Sequence, residues 1–319
     1  MKTIPIPSSN AINTLLHHAT TVDVESTSTP AVQSVQCAHL INPMAVAYCL
    51  LLWVISYWAE VSCLHAIRQS WIDAERSLEW QSQSWRKVKG PDSQNLVQQA
   101  YMMLGILPWI GFILGSEIHE KIDHLATYMM QEWLSDVHGT QMLELLWSAV
   151  HWQKASVEVE IEGPYFYHYL KSALEAGESK YKDSASFIHA RSLGRALRSG
   201  QHTSVGFITN VCGNHWVSTV VDFMAGRILY GDSLGGQPEN EFISAIQWWI
   251  QYHTNTQFVI SELMVPRQED SFSCGILAFN VLAHFYLPKQ YPLMDTMWIG
   301  EERLKNFLEI GRRHLNHVG

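Results

Sequence analysis

Residues Val265 to Tyr286 read VPRQEDSFSCGILAFNVLAHFY. From Cys274 onward this stretch contains no Asp, Glu, Lys or Arg, so it reads as a helix apolar on nearly every side and therefore buried. The polar loop Gln268–Ser273 leads into it, which puts a thiol at the expected helix N-terminus. A thiol becomes a strong nucleophile only as thiolate, and helix N-termini and neighbouring imidazolium groups both favour that form. Gly275, next along, permits close backbone approach. Such a thiol needs a histidine within reach, and the histidine needs an acid or amide to fix its ring.

The preceding segments supply both. Residues 205–211 (VGFITNV) and 216–221 (WVSTVV) are β-rich, and Asp222–Gly226 makes a turn into a third strand, RILYGD. His215 heads the second strand and Asp232 ends the third, so antiparallel pairing can bring the two side chains together. Asp222 is nearer to His215 in sequence and is the rival acid, although it lies just before the turn. Gln268 offers a side-chain amide that, with the Cys274 backbone N–H, could stabilise an oxyanion. Each residue alone has an ordinary structural explanation: a buried cysteine is usually a small hydrophobe, and an Asp before Ser-Leu-Gly-Gly is usually turn chemistry. The ordered set is improbable by chance.

Around these motifs, NEFISAIQWWIQYH places Phe242, Ile246, Trp249 and Ile250 at helical spacing, and QFVISELMV reads as a further strand. The segment IDHLATYMMQEWLSDVHGTQMLELLWSAV is helix-rich, anchored by Trp133, Met142, Leu145 and Leu146. Strands and helices in this order indicate an α+β domain over residues 116–319. Residues 1–36 are rich in Ser and Thr without lasting periodicity and read as a flexible tail. Residues 37–115 read as a helical accessory region. Its apolar run Met44–Ala59 is expected to be a buried or partner-binding helix rather than a membrane anchor, since it is barely long enough to span and no Lys or Arg flanks it closely. Gly90-Pro91 ends the polar helix that follows.

Composition narrows the function classes. A net charge of −9 argues against a nucleic-acid partner, because phosphate binding needs clustered Lys and Arg. The one dense basic cluster, Arg86–Lys89, reads as a solvated helix end. Five irregularly spaced cysteines argue against a disulfide framework and for a reducing compartment. The opening MKTIPIPSSN lacks a signal-peptide pattern, so an intracellular location, nuclear or cytoplasmic, is expected. Cys212 and His215 stand three apart, but no second ligand pair follows at zinc spacing, and no phosphate loop or dinucleotide fingerprint is present. No cofactor is expected.

His215-Trp216, Asp232-Ser233-Leu234 and Gln268–Gly275 together resemble the ubiquitin-like-protein-specific, SUMO-type cysteine proteases, whose fold the adenoviral proteinase shares. Trp133–Asp136 (WLSD) is similar to the Trp-Leu-Asn-Asp segment that opens that family's catalytic domain. The resemblance covers roughly residues 116–319. It implies a papain-like cysteine protease fold of the adenain type, a mixed sheet flanked by helices. It also implies His215 as general acid and base, Asp232 as its orienting acid, Cys274 as nucleophile and Gln268 as oxyanion donor. Trp133 and Trp216 would wall a narrow slot for the Gly-Gly tail of a ubiquitin-like modifier, the implied partner. Ser135 stands where the family usually has Asn, and Gly231 where a larger residue is common. The QEDSFSCG segment is similar to the diverged, mobile-element-associated fungal and plant branch, which leaves the modifier's identity open. Two other classes fit the same residues: a non-catalytic modifier-binding module of this fold, and an acetyltransferase. The latter needs a coenzyme A site, for which no basic cluster is visible near the motifs.

Overall fold

The computed structural model describes residues 6–21, 34–36, 49–152 and 158–318. The chain divides into two compact units, Met1–Ile72 and Asp73–Gly319. The division falls within one long helix.

In the first unit, helix α1 spans Ser9–Thr21. Ser8 starts it: its carbonyl accepts from Ile12 N at 2.9 Å and its hydroxyl from Ala11 N at 3.4 Å, the side-chain capping that favours serine at this position. Strands β1 (Ser34–Gln36) and β2 (Cys49–Leu51) pair antiparallel. Helix α2 (Trp53–Val88) follows. The apolar run Met44–Ala59 is therefore not one helix: Cys49–Leu51 is extended and helix begins at Trp53, while Met44–Tyr48 lie outside the described residues. No described helix is long and apolar enough to cross a membrane.

The second unit holds the rest of α2 and helix α3 (Pro91–Ile106), with Gly90 as its N-cap and Pro91 at its first position, where a missing N–H costs nothing. A 3₁₀ segment, Ile122–Met129, precedes α4 (Asp136–Trp152). Then come β3 (Val159–Ile161), α5 (Phe166–Asp183, interrupted at Gly177), α6 (Ile188–Arg198), β4 (Ser204–Val211), β5 (His215–Asp222) and β6 (Arg227–Gly231). The chain ends with α7 (Asn240–Thr254), β7 (Val259–Glu262), α8 (Cys274–Tyr286) and α9 (Ile299–Val318).

Strands β3 to β7 form one mixed sheet in chain order. The central β4–β5–β6 meander is antiparallel, and β3 and β7 add parallel at the two edges. Alternate positions of the central strands, Val205, Phe207, Val217 and Val221 among them, join Phe166, Leu170, Leu193, Ile246 and Trp249 of α5, α6 and α7 in one core. Trp249 is fully buried and Trp248 partly so, as their helical spacing implies. Helix α8 runs against β5 and β4, where the Ser218 hydroxyl donates to the Ala278 carbonyl at 2.6 Å. Every residue from Cys274 to Ala283 is buried, which is why the segment carries no charge.

Helix α9 closes the unit against α3 and the 3₁₀ segment. Its Glu301 forms a buried salt bridge with Lys89, whose ammonium also donates to the Met297 carbonyl at 2.6 Å and lies 4.3 Å from the Trp85 ring centroid. Lys89 is thus not part of a solvated helix end. With the carboxylate, a carbonyl and an indole face satisfying it, this lysine can be withdrawn from water.

Candidate active site

Cys274 is the first residue of α8 and is only 3% exposed. As the first helical residue it has no acceptor four positions back for its N–H. Helix and sheet approach closely at this point. A Cβ on Gly275 would lie 3.2 Å from Leu134 Cβ and 3.4 Å from Trp216 Cδ1, so a larger residue would push the helix N-terminus off β5.

His215 opens β5 and its Nε2 hydrogen bonds to Asp232 Oδ1 at 2.7 Å. Strand register accounts for this. Ser218 pairs with Gly231, so one further step would set Asp232 opposite Val217, diagonal to His215 and within side-chain reach. The Cys274 side chain neighbours the same ring and acts on its titration. With Nε2 engaged by Asp232, Nδ1 is the nitrogen left for the sulfur. The Asp232 carboxylate, first, and then Cys274 hold the imidazole's proton, raising its pKa from 6.5 to about 9.

Asp232 is fixed from three sides. Besides His215 it accepts from Leu234 N at 2.7 Å and Gly236 N at 3.1 Å. A Cβ on Gly236 would sit 2.6 Å from Asp232 Oδ2, so the second donor requires glycine there. Burial by itself would raise the Asp232 pKa, but the His215 bond and the two backbone N–H groups outweigh it and hold the carboxyl below its ordinary value. The rival Asp222 lies at the other end of β5, where Oδ1 accepts from Ala225 N at 2.9 Å in the hairpin turn.

Gln268 is buried between two loops. Its backbone N–H donates to the Ser233 carbonyl at 2.8 Å and its Oε1 accepts from the Ser233 hydroxyl at 3.0 Å. Its Nε2 donates to the Asp270 carbonyl at 2.8 Å, with Asp270 Oδ1 at 3.3 Å. The Asp270 carboxylate shapes the turn into α8, accepting from the N–H groups of Phe272 (2.9 Å) and Ser273 (2.8 Å) and from the Ser273 hydroxyl (2.5 Å). Ser233 and Asp270 are thus the supports of the site. Their place in the DSL and QEDS motifs was the available signal, but nothing in the sequence alone says which loop each one ties.

The two tryptophans have different surroundings. Trp133 is half exposed, in the loop before α4, and its indole N–H donates to the Ser271 carbonyl on the loop leading to Cys274. Trp216 is buried, with its indole N–H donating to the Leu134 carbonyl at 2.8 Å and its ring against Gly139 and Gly275. Ser135 has a local function: its N–H (3.1 Å) and its hydroxyl (2.8 Å) both meet His138 Nδ1. His138 Nε2 is then the protonated nitrogen and donates to the His124 carbonyl at 2.9 Å; burial lowers its pKa to about 4, keeping it neutral.

Cys212 and His215 engage different carboxylates, Glu239 and Asp232. The exposed Cys212 thiol donates to Glu239 Oε1 at 2.8 Å, and this bond to a carboxylate raises the thiol's pKa, the reverse of what a nucleophile needs. Among the described residues, no three metal-binding side chains converge.

Known proteins of the same architecture exist. The chain superposes with a TM-score of 0.52 on the X-ray structure of the C-terminal Ulp1 protease domain in complex with Smt3, the yeast ortholog of SUMO. The match has 16% identity and covers 68% of this chain and 96% of that one. A structure of the SUMO protease Ulp1 with its catalytic cysteine oxidised to a sulfinic acid matches with a TM-score of 0.51 and 16% identity, covering 70% and 96% of the two chains. At that identity the likeness establishes the fold. No curated protein was found to match the chain. Residues 132–309, more than half of the chain, match the model of the Ulp1 protease family's C-terminal catalytic domain, and this span contains Trp133, His215, Asp232, Gln268 and Cys274; the chain belongs to the Ulp1 protease family.

Proposed function

We propose that this protein is a cysteine peptidase and isopeptidase that cleaves after the C-terminal Gly-Gly of a ubiquitin-like modifier, most readily a SUMO-like one. The observation that carries the reading is the His215 ring, bonded to Asp232 and neighbouring the Cys274 side chain at a helix N-terminus. Family membership and the complex of Ulp1 with Smt3 support the substrate class.

In this reading the Cys274 thiolate attacks the carbonyl carbon of the modifier's terminal glycine. The oxyanion is held by the Cys274 N–H and by Gln268 Nε2, one hydrogen of which turns to it from its longer contact with Asp270. The intermediate collapses with cleavage of the C–N bond, and imidazolium His215 gives its proton to the departing amine. Neutral His215 then takes a proton from water, the hydroxide oxygen adds to the thioester, and the thiolate leaves as the modifier's free carboxylate forms. Asp232 keeps the ring oriented throughout and stabilises its charged form. Trp133, exposed beside the nucleophile loop, contacts the extended tail. Trp216 lies beneath, where it supports the α8 N-terminus.

Incubation with SUMO and ubiquitin vinyl-sulfone probes tests the reading. An adduct on Cys274 with the SUMO probe, absent from Cys274→Ala, is expected. Folded protein that forms no adduct with any modifier probe would leave a binding module, and acetylation of Cys274 by acetyl-coenzyme A would indicate a transferase.

A further inference from the structure

Arg303, near the start of α9, is only 3% exposed and forms no salt bridge with any carboxylate among the described residues. Its partners are backbone carbonyls: Nε donates to Tyr128 at 3.2 Å, and Nη2 donates to Thr127 at 2.6 Å and to Glu132 at 2.9 Å. Nη1 is buried with no hydrogen-bond partner. The carboxylates of Asp270 and Glu132 act on its charge without a direct ion pair, and burying a guanidinium on those terms is costly, so packing alone would be served as well by an apolar side chain of similar length. Burial lowers its pKa to about 10, so it still carries its charge at neutral pH.

The three carbonyls lie where the chain leaves the 3₁₀ segment and turns into the loop that carries Trp133. Thr127 and Tyr128 are within the last turn of that segment, and Glu132 immediately precedes Trp133. Trp133 in turn bonds to the Ser271 carbonyl, three residues before the nucleophile. A planar fork with several donors can grip both ends of this short loop at once, whereas an ammonium is a single point of attachment.

Building on the peptidase reading, we propose that Arg303 is a positioning residue that clamps the Thr127–Glu132 loop and thereby holds Trp133 over the segment leading to Cys274. It touches neither substrate nor sulfur and acts through the indole. Removing the clamp lets the Trp133–Ser271 contact open, which blunts substrate alignment and exposes the thiol.

The test is a double-mutant cycle of Arg303→Lys and Trp133→Ala, read by kcat/KM on a SUMO–aminomethylcoumarin fusion, by the rate of Cys274 alkylation with iodoacetamide, and by Tm. Arg303→Lys is expected to lower kcat/KM by about tenfold or more, since small displacements of positioning groups are costly. It should remain folded with a lowered Tm, since an ammonium cannot replace all three buried carbonyl bonds, and the double variant should be no slower than Trp133→Ala alone. Multiplicative losses would mean that Arg303 does not act through Trp133 and would overturn the proposal, as would full activity of a folded Arg303→Lys protein. Should the unmodified chain turn over no modifier, the peptidase reading fails and alkylation decides the clamp separately. Faster labelling of Cys274 in both single variants, with no further gain in the double, supports it. Equal rates in all four proteins overturn it.

Discussion

Asp232 receives a 2.7 Å hydrogen bond from His215 Nε2, whereas Asp222, much nearer to His215 in sequence, lies at the far end of the same strand. At about 3.3 Å per residue, an eight-residue strand separates its ends by some 20 Å, beyond any side chain's reach. Asp232→Asn should therefore keep the fold and lower kcat/KM on the order of 10³–10⁴-fold, because an amide can favour the wrong imidazole tautomer. Asp222→Asn should leave turnover within about twofold, since it loses only a long ion pair with Arg227 far from the site and can keep the turn bond from Ala225. Steady-state kinetics giving the opposite ranking would displace Asp232 from the site.

His215 yields a pH prediction. Its folded-state pKa, about 9 against an ordinary 6.5, means that its contribution to stability is fully present below pH 6.5 and is lost as pH rises through 9. Asp232 works in the opposite sense: its carboxyl is held below 3.8, so its contribution is present above that value and is lost on acidification. Because the imidazolium is the proton donor to the leaving amine, kcat/KM should fall on the basic side near pH 9. In Asp232→Asn the largest cause of the upward shift is gone, and the residual activity should lose its basic limb at a lower pH. An unmoved limb in that variant would assign it to another group.

Cysteine substitutions separate nucleophile from bystander. Cys274→Ala should abolish turnover while changing stability by no more than about 1.5 kcal/mol, because it deletes one buried sulfur atom and leaves only a small void. Cys212→Ala should be active, since its thiol donates to Glu239 rather than to His215. Loss of turnover in a normally folded Cys212→Ala protein would reverse the assignment.

The two tryptophans should behave differently. Trp216→Ala removes a buried indole beneath Gly275 and should cost about 3–5 kcal/mol, with loss of activity following loss of fold. Trp133→Ala, at a half-exposed position, should shift stability by about 1 kcal/mol or less yet weaken turnover of a Gly-Gly-ended substrate. A modifier ending in Ala-Gly should be a poor substrate for the parent protein, as a Cβ clashes in a narrow channel. Equal rates on the two substrates would remove Trp133 from any role in reading the tail.

Much of this site could be read from the linear chain because its information is local. The uncharged run after Cys274 announced a helix buried on all sides, and a thiol at its start follows from reading the loop–helix junction. The β-rich runs 205–211 and 216–221, with the turn at Asp222–Gly226 into a third strand, implied the meander, whose register brings Asp232 diagonal to His215. What the sequence could not decide depends on contacts between distant segments. The WLSD and His-Trp motifs did not reveal that Trp216 is buried while Trp133 is half exposed: that follows from Leu134 and Gly275 closing over one indole and not the other. The apolar run Met44–Ala59 has helical composition, yet Cys49–Leu51 is held extended by pairing with Ser34–Gln36, a partner well before it in the chain. Lys89 and Arg303 look like solvent-facing charges in their own segments. Only when α9 packs against α3 and the 3₁₀ segment does one meet Glu301 and the other three carbonyls, because those partners lie more than 170 residues away.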